Sequence, residues 1–221
     1  DFYSVKTLHL IPDYIAAVQK EMKLYRNVFS SFDSIYIGGG TPSWLTEEWM
    51  AQIMSAVRRS FRLASDAEIS IECNPGTVTA QKFAVYRQSG INRISLGLQS
   101  AQNVELKMLG RIHTWEQFLK TYELARSGGF SNINVDLMSS LPGQHIETYA
   151  DSLQKVCRLK PEHISENLPK DILSKYQLMS RYEAIKNIHL PATLALQTAA
   201  VKRLKFEELF LIQIKLLHQK S

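Results

Sequence analysis

Ser34-Ile35-Tyr36-Ile37-Gly38-Gly39-Gly40-Thr41-Pro42 is the stretch on which the reading of this 221-residue chain turns. A short run of strand-forming residues passes directly into a glycine triplet, a threonine and a proline. Without Cβ atoms the backbone of such a loop approaches a ligand closely and turns its N–H groups toward it, and Pro42 stiffens the exit. The competing reading is an ordinary strand-to-helix turn, where glycines are common. No Lys-Ser/Thr pair follows, so this is not the phosphate loop of nucleoside triphosphatases.

Outward from that loop, short β-rich runs alternate with longer stretches of helical periodicity. Strands are predicted at Ser34 to Ile37, Glu68 to Cys73, Arg93 to Leu98 and Asn132 to Leu137, with another beginning at His163. Helices are predicted at Glu47 to Phe61, Ala80 to Ser89, Trp115 to Arg126 and Ile146 to Leu159. Gly90, Gly128 and Gly129 fall just beyond helices, where a left-handed cap favours a residue without Cβ. Repeated βα units of this length imply an α/β fold with a parallel sheet, and in a closed or partly closed barrel the site lies in the loops after the strand C-termini.

Polar groups recur at those positions. Glu72 ends a strand beside Cys73-Asn74-Pro75-Gly76, where it can accept from an ammonium or a ribose hydroxyl, or else stay solvated or pair with an arginine. Gln99 and Ser100 follow the next strand, with Arg111 and His113 shortly after. Asp136 lies within an apolar strand, where an unpartnered carboxylate is costly; it is a candidate ligand contact, or a structural partner of Arg111 or Arg93. His113 and His145 read as surface or loop histidines rather than ligands.

The succession Gly38-Gly39-Gly40-Thr41-Pro42, Glu68-Ile69-Ser70-Ile71-Glu72 with Asn74-Pro75, Ser95-Leu96-Gly97-Leu98-Gln99-Ser100, Leu109-Gly110-Arg111-Ile112-His113 and Asp136-Leu137-Met138 with Leu141-Pro142-Gly143 closely resembles the oxygen-independent coproporphyrinogen III oxidase-like radical SAM family, over residues 1 to about 165. The resemblance implies a partial (βα)6 barrel that binds S-adenosylmethionine across its strand ends. By that resemblance Gly39, Gly40 and Thr41 hold the methionine moiety, Arg111 pairs with its carboxylate, and Glu72, Gln99 and Asp136 take the remaining amino and ribose contacts. The opening Asp1-Phe2-Tyr3-Ser4 resembles the haem-chaperone branch, in which the last cysteine of a CxxxCxxC motif stands directly before it; that branch brings haem or porphyrin as a further expected partner. The three cysteines that hold a [4Fe-4S] cluster in the family are absent here. The chain is therefore expected to be a catalytically silent piece of such a protein, without the first barrel strand and cluster loop. Ser139 and Ser140 stand where many members have Tyr-Gly.

Composition sets the remaining expectations. With 45% hydrophobic and 21% charged residues and a net charge of +5, a globular core is expected and nucleic acid is not implied. No apolar run approaches a membrane span and no signal-peptide pattern opens the chain, so a cytoplasmic location is expected. Cys73 and Cys157 lack metal or disulfide spacing and read as buried thiols. Every glycine lies at or before Gly143, and from Glu166 onward Lys and Arg outnumber Asp and Glu nine to five. This second segment, 166 to 221, is expected to be helical, with a capping signature at Ser180 and Glu183 and a long amphipathic helix from about Leu194 to His218. Its Leu168-Pro169, Asn187-Ile188-His189-Leu190-Pro191 and Phe206-Glu207-Glu208-Leu209-Phe210 resemble the segment joining wedge and motor domains in RecG-type ATP-dependent DNA helicases. A chimera joined near Ser165 is the expectation, with the apolar stripe of the tail as a core or docking face and its Lys and Arg side chains in solvent.

Overall fold

A computed structural model describes residues 8–28, 31–139, 141, 143–167, 176–179, 183–184, 187 and 192–203. Five strands form one sheet in the order β1-β2-β3-β4-β5: Phe32–Ile37, Leu63–Cys73, Arg93–Gln99, Ile133–Met138 and His163–Asn167. Between them run α2 (Glu47–Ser60), α3 (Ala80–Gln88), α4 (Asn103–Met108), α5 (Trp115–Ser127) and α6 (Ile146–Arg158), and α1 (Ile11–Leu24) precedes β1. β1 pairs with β2 and β2 with β3 in parallel, placing Tyr36 opposite Ser70, Ser70 opposite Arg93, and Glu72 opposite Ser95.

A sequential parallel order with right-handed crossovers puts the helices that join β1 to β4 on the same face of the sheet. That face is apolar: Ile71, Ile94, Leu96, Leu98, Ile133 and Val135 are all fully buried, as are Phe83 and Phe118 from the helices. The alternate residues carry the polar groups, because side chains on a strand point to opposite faces in turn. Glu68, Ser70 and Glu72 from β2, Arg93, Ser95 and Gln99 from β3, and Asn134 and Asp136 from β4 share the second face. They are wired together. Arg93 donates to Glu68 at 2.8 Å, Ser70 donates to Glu68 at 3.1 Å, and Ser165 donates to Asn134 at 3.0 Å. Asn134 donates to both Ser95 at 2.8 Å and Asp136 at 2.7 Å.

Helix starts follow local sequence. Thr46, Thr79 and Thr114 each cap a helix through the hydroxyl, and Thr114 with Gln117 completes a reciprocal capping box at α5. Gly90 and Gly129 adopt the left-handed conformation expected after α3 and α5, with φ of 82° and 84°. Gly128 does not: its φ is −74°, and its lack of a side chain is used instead where the Phe83 Cβ lies 3.3 Å from the position a Cβ would take.

The chain divides into two compact units, Asp1–Asp136 with Lys155–Ser165 and Leu137–Gln154 with Glu166–Ser221. The first holds the polar strand face described above. In the second, residues 194–203 form a helix (α7) capped by Thr193, whose hydroxyl accepts from the Leu196 N–H at 3.2 Å. Arg203 is buried, contrary to the expectation that the tail's cations are all solvated, whereas Lys202 is on the flank and donates to the Tyr176 carbonyl at 3.2 Å. Ser180, the segment 188–191 and the expected helix beyond Arg203 lie outside the described residues, as do the opening Asp1 to Ser4 and most of the helicase-like motif. The change of character expected at Ser165 falls within β5.

Candidate functional site

The glycine loop leaves β1 with Gly39 and Gly40 at φ of 81° and 72°, conformations that side chains with Cβ rarely adopt, and nothing stands within 4 Å of where a Cβ would be. A backbone that is both left-handed and open lets a ligand approach it closely. Thr41 is held by the next loop, since its hydroxyl accepts from the Asn74 amide at 3.2 Å. The two loops are braced further by side chains that sequence reading did not single out. Ser43 and Thr77 share a hydrogen bond of 2.6 Å, the Asn74 N–H donates to the Ser43 hydroxyl at 3.1 Å, and the Lys82 ammonium donates to the carbonyls of Ser43 at 2.7 Å and Thr77 at 3.0 Å. Burial lowers the Lys82 pKa, against the pull of Glu47. Only Asn74 belonged to a recognisable motif; Ser43, Thr77 and Lys82 carry no spacing signal.

Glu72 ends β2 beneath this loop. One carboxylate oxygen accepts from the Tyr36 hydroxyl and the other from the Gly39 N–H at 3.2 Å. Both partners belong to β1 and its loop, not to an arginine. Gln99, at the end of β3, has a φ of 73°, and its side chain turns back along the strand. A Cβ added at Gly97 would stand 3.0 Å from the Gln99 amide nitrogen and 3.1 Å from the Asn74 Oδ1. The glycine thus makes room for two amides side by side at the strand end.

Arg111 follows α4 and is half-buried. Its guanidinium has no hydrogen-bond or ion-pair partner among the described residues. Burial lowers its pKa, while the charge of Asp136 opposes that shift and places the carboxylate within electrostatic reach. Arg93, the other arginine considered for Asp136, pairs with Glu68. Asp136 accepts from Ser95 at 3.0 Å as well as from Asn134. His113 is not a surface histidine: it is 3% exposed, with Nε2 3.3 Å from the Leu98 carbonyl. Burial pushes its pKa down and the Arg111 charge pushes the same way, against the carbonyl bond, so the neutral ring donates to the strand end. His145 is exposed.

Gly39, Gly40, Thr41, Glu72, Gln99, Arg111 and Asp136 thus all stand at C-terminal strand ends or the loops beyond them, within one compact unit. A cation with no hydrogen-bond or ion-pair partner among the described residues, the carboxylates of Glu72 and Asp136, and an open glycine backbone are what a ligand bearing both an ammonium and a carboxylate requires; S-adenosylmethionine fits this set. An iron–sulfur cluster does not fit the residues present. Cys73 is buried in β2 and Cys157, expected to be buried, is exposed on α6, so they provide no set of three thiolates. No group of three or more His, Cys, Asp or Glu among the described residues could hold a metal ion.

A parallel β/α sheet with its polar groups gathered at the strand C-termini defines an α/β protein of the class whose ligand sites lie at that end of the sheet. Within that class the chain belongs to the radical SAM superfamily, whose family model matches residues 7–156. Among curated proteins it is 44% identical over 132 residues to the heme chaperone HemW of Escherichia coli (strain K12), covering 60% of this chain and 35% of that protein. It is 32% identical over 188 residues to the heme chaperone HemW of Bacillus subtilis (strain 168), covering 82% and 48%. Among solved structures, the radical SAM enzyme coproporphyrinogen III oxidase (HemN) from Escherichia coli matches with a TM-score of 0.70 and 26% identity over 95% of this chain and 47% of that one. The chain thus spans between about a third and a half of the length of these relatives.

Proposed function

We propose that this chain binds S-adenosylmethionine at the C-terminal ends of β1 to β4 and serves as the S-adenosylmethionine half-site of a haem-handling protein related to the haem chaperones. The observation that carries the reading is Arg111. A half-buried guanidinium with no hydrogen-bond or ion-pair partner among the described residues is costly, and a ligand carboxylate in bidentate contact would relieve that cost. Glu72, Gln99 and Asp136 then receive the ammonium and ribose hydroxyls, and Gly39, Gly40 and Thr41 supply backbone and hydroxyl contacts to the methionine portion. The bound molecule would supply a sulfonium centre; the protein orients it, offers hydrogen-bond partners of both signs and holds its amino-acid end away from water. Haem enters through the relatives, both of the curated proteins described above carrying the name heme chaperone.

Isothermal titration of the full chain with S-adenosylmethionine tests this directly. Saturable binding is expected, and Arg111→Met should weaken it about tenfold to a hundredfold, the worth of a lost charged hydrogen-bond pair. A folded sample that shows no saturable heat would overturn the proposal.

A further inference from the structure

Tyr36 lies beside the proposed half-site without being part of the family-like motifs around it. Its ring is largely exposed, yet its hydroxyl reaches across from β1 to donate to Glu72. The reach depends on Gly38. A Cβ there would stand 2.4 Å from Cε1 of the Tyr36 ring and 3.2 Å from the Glu72 carboxyl carbon, so the ring occupies the space any larger residue would fill. Glu72 is therefore gripped at both oxygens from one side, by Tyr36 at one and by the Gly39 N–H at the other. An ionised carboxylate has about four lone-pair directions, so two remain for a ligand. Burial of the hydroxyl end and the adjacent carboxylate hold the phenol in its protonated form, well above its ordinary range, while the more distant Asp136 adds to this and Arg93 opposes it. A protonated phenol donates one hydrogen bond, here to Glu72.

We infer that Tyr36 is a positioning residue that fixes the Glu72 carboxylate against the glycine loop, so that its remaining lone pairs face the ligand before the ligand arrives. Pre-orientation of this kind contributes to affinity by removing the cost of ordering Glu72 on binding. The inference rests on the S-adenosylmethionine reading above.

The test is a double-mutant cycle on S-adenosylmethionine affinity, with Tyr36→Phe, Glu72→Ala and Arg111→Met made singly and in pairs, and thermal melts to confirm folding. Tyr36→Phe should weaken binding about fivefold, the worth of one neutral-donor hydrogen bond. That loss should persist in the Arg111→Met background and vanish in the Glu72→Ala background, a pattern that a general loosening of the fold would not produce. Wild-type affinity in Tyr36→Phe, or an equal loss in all three backgrounds, would overturn this inference and leave the half-site standing. Absence of binding by the folded wild-type chain would overturn both.

Discussion

Gly97 shows how a single missing side chain shapes the site. The position is not left-handed, so alanine is sterically allowed in the backbone, and what a Cβ meets is the flexible ends of Gln99 and Asn74. Gly97→Ala should therefore leave the melting temperature within a few degrees of wild type, while displacing the two amides and weakening S-adenosylmethionine binding. Equal affinity with equal stability would show that the two amides do not touch the ligand. His113 offers a second test at this scale. Its folded pKa lies below the ordinary 6.5, so the unfolded chain binds the proton more readily. The stability that the neutral ring supports is complete above about 6.5 and declines as pH falls through that value toward the folded one. His113→Gln should flatten this first stage of acid destabilisation in melts recorded between pH 8 and 5.

At the scale of elements, Arg126 joins pieces that the chain separates. From α5 it donates to the Tyr122 hydroxyl, to the carbonyls of Phe130 at 3.2 Å and Lys160 at 3.0 Å, and to Glu162 at 2.9 Å, whose carboxylate also accepts from the N–H of Ile133 at 2.8 Å. Arg126→Leu should cost about 2 kcal/mol, read by urea unfolding, more than a solvated ion pair would, because two backbone carbonyls and a phenol lose their donor together. A change under about 0.5 kcal/mol would mean these bonds are replaced by water. Much at this level was legible in the sequence. Arg93–Gln99 and Trp115–Ser127 came out within one residue at either end, because apolar alternation and a threonine cap marked them. α1 was missed: Ile15 is its only fully buried residue among those described, so its apolar stripe is faint. β2 was placed too short, since Ala64-Ser65-Asp66 at its entry lacks alternation and joins the sheet only where β1 carries an irregularity between Phe32 and Ser34. The candidate site residues at strand ends were visible because polarity there breaks an apolar run. The brace of Ser43, Thr77 and Lys82 was not, since hydroxyl and ammonium contacts to backbone leave no periodic trace.

For the molecule as a whole, acid stability follows from groups of one sign. Glu68 and Glu162 are both held below the ordinary carboxylate value; burial opposes this in each, and the bonds to Arg93 and Arg126 outweigh it. Their contribution is present above about 4.5 and fades as pH falls further. A second stage of destabilisation is therefore expected below that of His113, and raised salt should shrink it because both pairs are partly exposed. No helix among the described residues is long and apolar enough to cross a membrane. The neighbour-by-neighbour strand order also has a kinetic meaning. Each new pairing joins strands that follow one another along the chain, with one α-helix between them or, from β3 to β4, two, which keeps the entropy of chain closure small and the folding route local. Because β1 and β2 precede β4 and β5 along the chain, the grip of Gly39 and Tyr36 on Glu72 can form while β4 and β5 are still emerging from the ribosome, so that part of the candidate site is in place before the sheet reaches β5.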